Sequence, residues 1–298
     1  MKAIELSSDR TNEFNDYCKR HRGDVDDSFL YDEDLEKFRV DKDNPTYIIV
    51  DNGGKVIATA SLILDEYNRS GKKGRFRIIH SEINDIRIYK SLLQSILKHT
   101  DGLDKIFTFV PMHNKELMYN MVGLNFKIER YTFLMLRDID NVLDFNLPKD
   151  YIIKPLELNQ DEEIWIEIRN AAFATVKGNE TPVTSNMIKD MILSKDYIEG
   201  GLMILYNNDK AVGCIRCSLD EYGDEAIVNI GSISIIPEYQ GKGLGRILLR
   251  AGMNFAKNNS YGRVILCVNA DNQKAKSLYI QEGFKQVQAV ACYYLDCN

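Results

Sequence analysis

The sequence predicts an α/β fold, in the α+β sense of a mixed sheet, built as two tandem domains whose mostly antiparallel sheets are flanked by helices. Three observations support this prediction. Strand-like and helix-like segments alternate along the chain, an order that packs helices onto a sheet. The chain has 298 residues, which suits two domains of ordinary size. Three blocks of the first half also recur, in the same order, in the second half.

The apolar segments give the order of the predicted elements. The first half contains five predicted strands, at 46–51, 55–64, 74–81, 105–110 and 129–137. The second half contains strands at 151–155, 201–206, 211–219, 226–236, 263–269 and 285–295, and helices near 160–173, 184–195, 244–258 and 272–282. Because Pro148 precedes the first strand of the second half, we expect the domains to cover residues 1–145 and 146–298.

The internal repeat relates the two halves at a slowly changing offset. Residues 50–58 match residues 205–213 at an offset of 155, and residues 88–93 match residues 244–249 at 156. Tyr119 matches Tyr279 at an offset of 160. Each block alone is a common strand–turn–helix unit, but three blocks in one order favour duplication of a domain.

The turn at Gln240–Gly245 is the most informative stretch of the sequence. It reads Gln-Gly-Lys-Gly-Leu-Gly, between an apolar strand and an amphipathic helix. Its glycines let the backbone approach a ligand, and the first amides of the helix lack partners and lie at the positive end of its dipole. Such a turn can bind phosphate, and Lys242 and Arg246 add positive charge. An ordinary strand-to-helix turn is the alternative.

A second motif follows the predicted strand at Val264–Val268. It contains Asn272 and Tyr279 and ends in Gly283-Phe284. The two motifs, in this order and spacing, resemble the GNAT superfamily of acyl-CoA N-acyltransferases. Residues 169–174 are similar to a stretch of the mycothiol synthases, which are tandem members of that superfamily. The resemblance implies a GNAT-like fold for both halves and catalysis in the second.

The resemblance also implies how the acyl donor, acetyl-CoA, is bound. In the family, the strand before the Gly-rich turn has a bulge whose backbone pairs with the pantetheine arm. The turn itself binds the pyrophosphate, and the last helix adds a further contact. The corresponding positions of this sequence are Ile233, Ser234, Ile235, Gln240, Gly241, Lys242, Gly243, Leu244, Gly245, Arg246 and Asn272.

Four residues are candidates for catalysis, and the resemblance implies the roles of the first two. Tyr279 would act as the general acid beside the sulfur, although a core aromatic of the last helix is the alternative. Asn229 stands where many relatives have a Glu base, and it could hold a water that accepts a proton. Asp224 and Glu225 could act through water, although the turn character of residues 222–224 favours a solvated hairpin.

The helix at 160–173 supplies the candidate acceptor site. Arg169, Asn170 and Phe173 fall on the element that usually lines the acceptor side in the family. The same residues could equally serve packing and surface. Trp165, the only tryptophan, shares this helix and is expected in the core.

The first half differs where the donor would bind. Residues Asn84–Tyr89 stand opposite the Gly-rich turn, without its glycines and with an added carboxylate. Met112 stands opposite Asn272, whereas Tyr119 matches Tyr279. A backbone site for phosphate is therefore crowded and electrostatically unfavourable. We expect a degenerate first domain that packs against the second and shapes an acceptor cleft.

The composition disfavours several classes of partner. The net charge of −6 argues against a general nucleic-acid binder. No apolar run approaches the ~18 residues of a membrane span, and the first residues lack the apolar core of a signal peptide. Six cysteines without a disulfide pattern favour the reducing cytoplasm. We therefore expect a cytoplasmic protein without nucleic-acid or membrane partners, and a monomer, since tandem domains can take the place of a dimer.

Metal and histidine chemistry are disfavoured in the second half. All four histidines lie in the first half, which leaves the second without a His triad or a His ligand. Cys214 and Cys217 fall on one predicted strand, where residues three apart point to opposite faces and chelate poorly. We expect no metal cofactor.

These observations predict an acyltransferase (EC 2.3.1.-). The expected reaction is direct transfer of an acetyl group from acetyl-CoA to the primary amine of a small molecule, without a covalent enzyme intermediate. One alternative is acetylation of a protein or peptide N-terminus. An alternative of another class is a non-catalytic acyl-CoA-binding module, which would have no need for an acid at Tyr279.

Overall fold

The protein divides into two compact units. The computed structural model describes residues 1–141, 146–223 and 225–297. The first unit comprises Met1–Thr132, Asn269–Asp271 and the segment from Gln288, and the second comprises Phe133–Val268 and Asn272–Val287. The end of the chain therefore belongs to the first unit. Residue 145, the expected end of the first domain, lies outside the described residues, so that border stays a prediction.

The first unit is a mixed sheet with helices. Its strands are β1 Ile4–Glu5, β2 Thr46–Val50, β3 Val56–Ile63, β4 Lys73–Ser81, β5 Lys105–Pro111 and the larger part of β12 Lys285–Asp296. Its helices are α1 Thr11–His21, α2 Asp32–Lys37, α3 Glu66–Ser70, α4 Ile86–Ile96 and α5 Lys115–Gly123. The strand order is β1-β2-β3-β4-β5-β12, in which only β4 and β5 are parallel.

The second unit repeats this plan. Its helices are α6 Glu162–Phe173, α7 Ser185–Leu193, α8 Leu244–Asn258 and α9 Gln273–Gln281. Its strands are the end of β6 Lys127–Asp138, and β7 Tyr151–Pro155, β8 Tyr197–Asn207, β9 Lys210–Tyr222, β10 Glu225–Ile235 and β11 Arg263–Asn269. The strand order is β6-β11-β10-β9-β8-β7, and β10 pairs with β11 in parallel. The predicted mixed, mostly antiparallel sheets flanked by helices are confirmed.

Helices α6 and α8 cover opposite faces of β9. The Cys214 thiol lies 3.8 Å from the carbonyl of Trp165 on α6. Cys217 contacts α8, because a Cβ placed on Gly252 would lie 3.2 Å from its sulfur. Both thiols are buried, and burial raises the pKa of each to about 12. The predicted opposite directions of the two cysteines are confirmed, and so is the core position of Trp165, which is fully buried.

Each unit has its own apolar core. Side chains from the sheet and from α1, α4 and α5 form the first core, and the sheet and α8 form most of the second. Among the described residues, no helix combines the length and the apolar character needed to cross a membrane.

Candidate active site

A β-bulge interrupts β10 just before its end. The antiparallel register with β9 passes from Gly231↔Arg216 to Ser234↔Cys214, so β10 has one extra residue. Ser232 lies in the bulge and has a φ of 48°, in the left-handed region. On the facing strand, the lack of a side chain at Gly213 makes room for the bulge. A Cβ at this position would lie 2.9 Å from the Ser234 carbonyl oxygen, which is too close. The bulge that the family resemblance implied is present.

Strands β10 and β11 separate towards this bulge. Their parallel pairing runs over Val228↔Val264 and Asn229↔Ile265, and it does not continue through the described residues beyond. Cys267 is exposed although β11 has a neighbouring strand on each side, as expected if the strands diverge there. The backbone around the bulge therefore borders an opening between two parallel strands.

The three predicted pantetheine-binding positions lie at this opening. The side chains of Ser234 and Ile235 are buried, and the Ser234 hydroxyl donates to the Ser232 carbonyl over 3.0 Å. Only their backbone groups are thus left to meet a ligand. Ile233, between the bulge and these buried neighbours, is half-buried. Buried side chains beside available backbone groups are what the family resemblance implied for a strand that pairs with a ligand through its main chain.

The Gly-rich turn presents a row of unpaired backbone amides. Gly241 and Gly243 have φ values of 76° and 80°, in the left-handed region that favours glycine. Within the part of the chain that the structure describes, the amides of Gly241–Gly245 donate to no protein acceptor. A Cβ at Gly241, Gly243 or Gly245 would meet nothing within 4 Å, whereas the Leu244 side chain is buried and anchors the turn. Free amides at a helix N-terminus can donate hydrogen bonds to an anion.

Side chains fix the two ends of this turn. The Gln240 amide donates to the Ile235 carbonyl over 2.9 Å, which ties the turn to the end of β10. The Lys242 ammonium lies 4.3 Å from the ring centroid of Tyr239, and that of Lys210 lies 5.2 Å from the same ring. Sequence reasoning missed Tyr239, whose ring holds two cations beside the anion site.

A buried carboxylate joins the turn helix to the last helix. Glu282 is 4% exposed and accepts two hydrogen bonds from Arg250, at 2.8 and 2.9 Å. The Arg246 Nε lies 3.2 Å from the same carboxylate, and Arg137 lies 4.0 Å away. Arg246 also donates to Gln281. One carboxylate faces three guanidinium groups, so the cluster keeps a net positive charge. Arg246 therefore links the two helices and still adds positive charge beside the turn. Sequence reasoning did not find Glu282.

Helix α9 places the two predicted residues of the last motif. Asn272 caps the helix, its side-chain oxygen accepting from the Ala275 amide over 3.1 Å. Tyr279 is half-buried and packs on Phe284 with ring centroids 5.9 Å apart. Its hydroxyl makes no hydrogen bond to any residue described here. Burial raises the pKa of Tyr279 to about 12, so the phenol keeps its proton and can donate it.

A carboxylate that sequence reasoning missed stands behind Asn229. The Asn229 amide donates to the Asp220 carboxylate on β9 over 2.9 Å. Asn229 is also the last β10 residue paired with β11, so it lies where the strands begin to separate. Asp220 is nine residues earlier in the chain, and only the hairpin register brings the two side chains together. The pair can hold a water and pass on its proton.

Glu225 occupies a different place. Its carboxylate pairs with Arg263 at the start of β11. Glu225 precedes Gly231 by six residues, which puts it roughly 20 Å along the strand from the bulge. The structure therefore does not bring Glu225 to the other predicted catalytic residues. Asp224 lies outside the described residues.

The predicted acceptor residues support a connection. The guanidinium of Arg169 is buried and donates to the carbonyls of Thr181 and Asn179, at 2.7 and 3.2 Å. The Asn170 side chain both donates to and accepts from the backbone of Val183. Phe173 lies under the Arg169 guanidinium, 5.0 Å from it. Arg169 and Asn170 thus order the segment between α6 and α7 and would affect an acceptor through that segment.

The corresponding turn of the first unit is blocked by its own side chain. Helix α4 begins at Ile86, and the carboxylate of Asp85 accepts from the Arg87 amide over 2.9 Å. Hydrogen bonds from the Arg87 side chain and amide lower the pKa of Asp85 to about 2, so the carboxylate stays charged. A built-in anion therefore occupies the helix N-terminus that would otherwise bind phosphate.

The last helices of the two units align two residues away from the predicted register. Asn114 caps α5 as Asn272 caps α9, through its side-chain oxygen. The Phe126 amide donates to the Met121 carbonyl over 3.0 Å, as the Phe284 amide donates to that of Tyr279 over 2.9 Å. The counterpart of Tyr279 is therefore Met121.

Two predicted matches were wrong as a result. Tyr119 does not correspond to Tyr279, and Met112 does not correspond to Asn272. Tyr119 is 77% exposed, whereas Met121 is fully buried at the position equivalent to Tyr279. The predicted matches followed residue identity, whereas capping and hydrogen bonding show the true register.

The fold and this site define a GNAT acetyltransferase domain in the second half of the chain. Residues 163–284 match the model of the acetyltransferase (GNAT) family and form a domain of that family. Over 152 residues the chain is 28% identical to a mycothiol acetyltransferase of Kocuria rhizophila, an alignment that covers 49% of this chain and 50% of that protein. The chain thus spans about half the length of the curated relatives it matches.

Solved structures resemble the fold of the whole chain. A GCN5-related N-acetyltransferase from Sphaerobacter thermophilus superposes with a TM-score of 0.74 at 15% identity, covering 99% of this chain and 95% of that one. A tandem GNAT protein from the clavulanic acid biosynthesis pathway gives a TM-score of 0.70 at 11% identity, covering 100% and 98%. At these identities the likeness concerns the fold, and it agrees with the predicted tandem GNAT architecture.

Proposed function

We propose that the second unit transfers an acetyl group from acetyl-CoA directly to the primary amine of a small-molecule acceptor. The observation that carries this proposal is the row of unpaired amides at Gly241–Gly245, beside an opening between two parallel strands. An anion site next to exposed strand backbone suits a ligand with a pyrophosphate and an extended amide-containing arm.

The residues present fit this donor. The turn amides would hold the pyrophosphate, and Lys242 would add charge from its place on Tyr239. Backbone groups of Ile233 and Ile235 would pair with the pantetheine arm, since the side chains of this segment are largely buried. Asn272 would contact the donor from the start of α9. The bound donor supplies an activated thioester, and the protein supplies orientation and proton transfer.

The proposed chemistry uses two proton-transfer groups. The acceptor nitrogen attacks the thioester carbonyl, a C–N bond forms and the C–S bond breaks. Tyr279 gives its proton to the departing thiolate. The attacking nitrogen loses one proton to a water held by Asn229, from which Asp220 accepts it. One proton is given and one is taken up, so exchange with solvent restores both groups.

The relatives support a small-molecule acceptor. The curated relatives in this comparison include mycothiol acetyltransferases, although each alignment covers only about half of their length. Acetylation of a protein or peptide N-terminus is the alternative within the same chemistry. A pure acyl-CoA-binding module is disfavoured, because the unpaired hydroxyl of Tyr279 has no use in binding alone. The charge and cysteine content support a cytoplasmic site of action without nucleic-acid or membrane partners.

The test is release of free thiol from acetyl-CoA in the presence of a panel of amines and N-terminal peptides. We expect turnover with a small primary amine and none with the Gly243→Glu/Gly245→Glu variant. Turnover with peptides alone would assign the alternative acceptor. Tight acetyl-CoA binding without turnover of any amine in a broad panel would favour the binding module.

A further inference from the structure

Three potential metal-ligating side chains meet in the first unit. His21 ends α1, Asp24 lies in the 3-10 turn that follows, and His80 lies on β4. The Asp24 Oδ2 is 3.0 Å from His21 Nδ1 and 3.8 Å from His80 Nε2, and the three ligand atoms all lie within 4.8 Å of one another. Ligands at zinc-bond lengths in a tetrahedron are ~3.3 Å apart. The three atoms thus need only small movements to share one ion.

The hydrogen-bond partners of His80 suit the tautomer in which its inward nitrogen, Nε2, carries no proton. The Tyr17 hydroxyl lies 3.1 Å from the Ile57 carbonyl and 2.8 Å from His80 Nδ1. A carbonyl can only accept, so a Tyr17 hydroxyl that donates to Ile57 can accept from a proton on His80 Nδ1. In that tautomer His80 Nε2 keeps a lone pair on the side of Asp24. An imidazole oriented by a partner on its other nitrogen is typical of a metal ligand.

His21 has a carboxylate on each ring nitrogen. Its Nδ1 lies 3.0 Å from Asp24, and its Nε2 lies 3.1 Å from Glu82. A neutral imidazole has one N–H and can satisfy only one of them, so the other position takes either a second proton or a metal ion. Glu82 also binds Arg20 and Lys55, which balance its charge. Glu82 would then orient His21, and Asp24 would be the charged ligand of the ion.

We propose that His21 Nδ1, His80 Nε2 and Asp24 Oδ2 bind a divalent transition-metal ion of the zinc type. Two imidazole nitrogens and one carboxylate suit such an ion. The Asp24 side chain is more than half exposed, which gives the ion a route of entry and a place for water as the fourth ligand. The ion would join α1 to β4 within the first unit. The sequence-based expectation of no metal would then hold for the acetyl-transfer site only.

The experiment titrates Zn²⁺ into the chelator-treated full chain by calorimetry and follows Co²⁺ by its visible absorption. We expect one tight site per chain with the spectrum of a tetrahedral ion. His80→Gln and His21→Gln should each weaken binding by at least ~tenfold, and Glu82→Gln by about tenfold. His113→Gln is the matched control, because His113 is an exposed histidine of the same unit that lies outside the cluster. The Zn²⁺ affinity of this variant should match that of wild type.

The outcomes separate a metal site from an ordinary ion pair. If a proton alone bridges His21 to Asp24 and Glu82, the wild-type chain binds no stoichiometric Zn²⁺, and the proposal is wrong. Unchanged affinity in both histidine variants would also overturn it. Because His80 is buried and its variant could unfold, Asp24→Asn serves as a surface variant, and circular dichroism checks each fold. Zn²⁺ should also raise the Tm of wild type and leave that of Asp24→Asn unchanged.

Discussion

The residue that best distinguishes the two halves is Tyr279. Its counterpart Met121 is fully buried in the first unit and has no group that could give a proton. The same helix position is thus a core residue in one unit and, in the other, a half-buried phenol whose hydroxyl has no partner among the described residues. This contrast supports an acid role, because packing alone is served by methionine.

Tyr279→Phe keeps the ring and removes only the hydroxyl. We expect kcat to fall ~10²–10⁴-fold, because the thiolate then leaves without an acid. Acetyl-CoA affinity and Tm should stay near wild type, as measured by calorimetry and thermal unfolding. Tyr119→Phe is the control, since Tyr119 is an exposed tyrosine of the first unit, and its kcat should not change. Normal turnover of the Tyr279 variant would make it a packing residue.

The pH profile tests the same group. Burial raises the pKa of Tyr279 to about 12, so the acid is fully protonated below about pH 11 and is lost only above that range. We expect kcat/KM to rise with pH as the acceptor amine loses its proton, and then to stay level through pH 10. A decline already below pH 9 in wild type, absent from Tyr279→Phe, would mean that the phenol titrates much lower.

Asp220→Asn tests the proposed proton path through Asn229. The substitution keeps the shape and removes the charge that would receive the proton, so kcat/KM should fall ~10²-fold at neutral pH. The loss should shrink at high pH, where hydroxide can take the proton. Glu221→Gln, on the exposed neighbour, is the matched control and should leave the rate unchanged. Equal rates for both variants would exclude Asp220 from the path.

At the scale of elements, the two turn–helix units show how an anion site is kept or lost. In α8 the turn amides are unpaired and the glycines leave open space in front of them. In α4 the helix starts earlier and Asp85 accepts from the first turn. Each of the two helices begins after the same kind of strand and turn. The difference in their ability to bind an anion therefore lies in the side chains of about six residues.

Gly243→Glu combined with Gly245→Glu should abolish acetyl-CoA binding. The new side chains fill the open space and add negative charge where phosphate would lie. Gly243 has a φ of 80°, so the variant should also lose about 1–2 kcal/mol of stability. Calorimetry and thermal unfolding measure both effects. Arg87→Glu is the control, because Arg87 is exposed and stands opposite Gly243; Tyr89, opposite Gly245, is buried and unsuitable. Unchanged affinity of the double variant would refute the site.

At the scale of the whole molecule, we expect one acetyl-CoA per chain. Among the residues that the structure describes, the turn of the second unit has unpaired amides at Gly241–Gly245, whereas the first unit has its own carboxylate at the equivalent helix. Calorimetric titration of the full chain should give a stoichiometry near one. Two tight sites would show that the turn at Asp85 still binds the donor. In that case the Gly243→Glu/Gly245→Glu variant should retain one acetyl-CoA site, whereas with a single donor site it should retain none.

The sequence by itself determined the features that depend on local chemistry. The alternation of apolar segments predicted the mixed sheets, and the glycines of residues 240–245 predicted a tight turn with free backbone amides. These features depend on backbone freedom, helix ends and side-chain periodicity. All three are determined by residues that are close together in the sequence. The opposite directions of Cys214 and Cys217 on one strand follow from the same local rules.

Only the tertiary structure decided which distant residues meet. The hairpin register brings Asp220 to Asn229, helix packing brings Arg250 to Glu282, and capping fixes Met121 as the counterpart of Tyr279. The final strand pairs with β5 across well over 150 residues of sequence. Such contacts depend on register, helix rotation and burial, which no local pattern encodes, because a shift of one or two residues changes every partner.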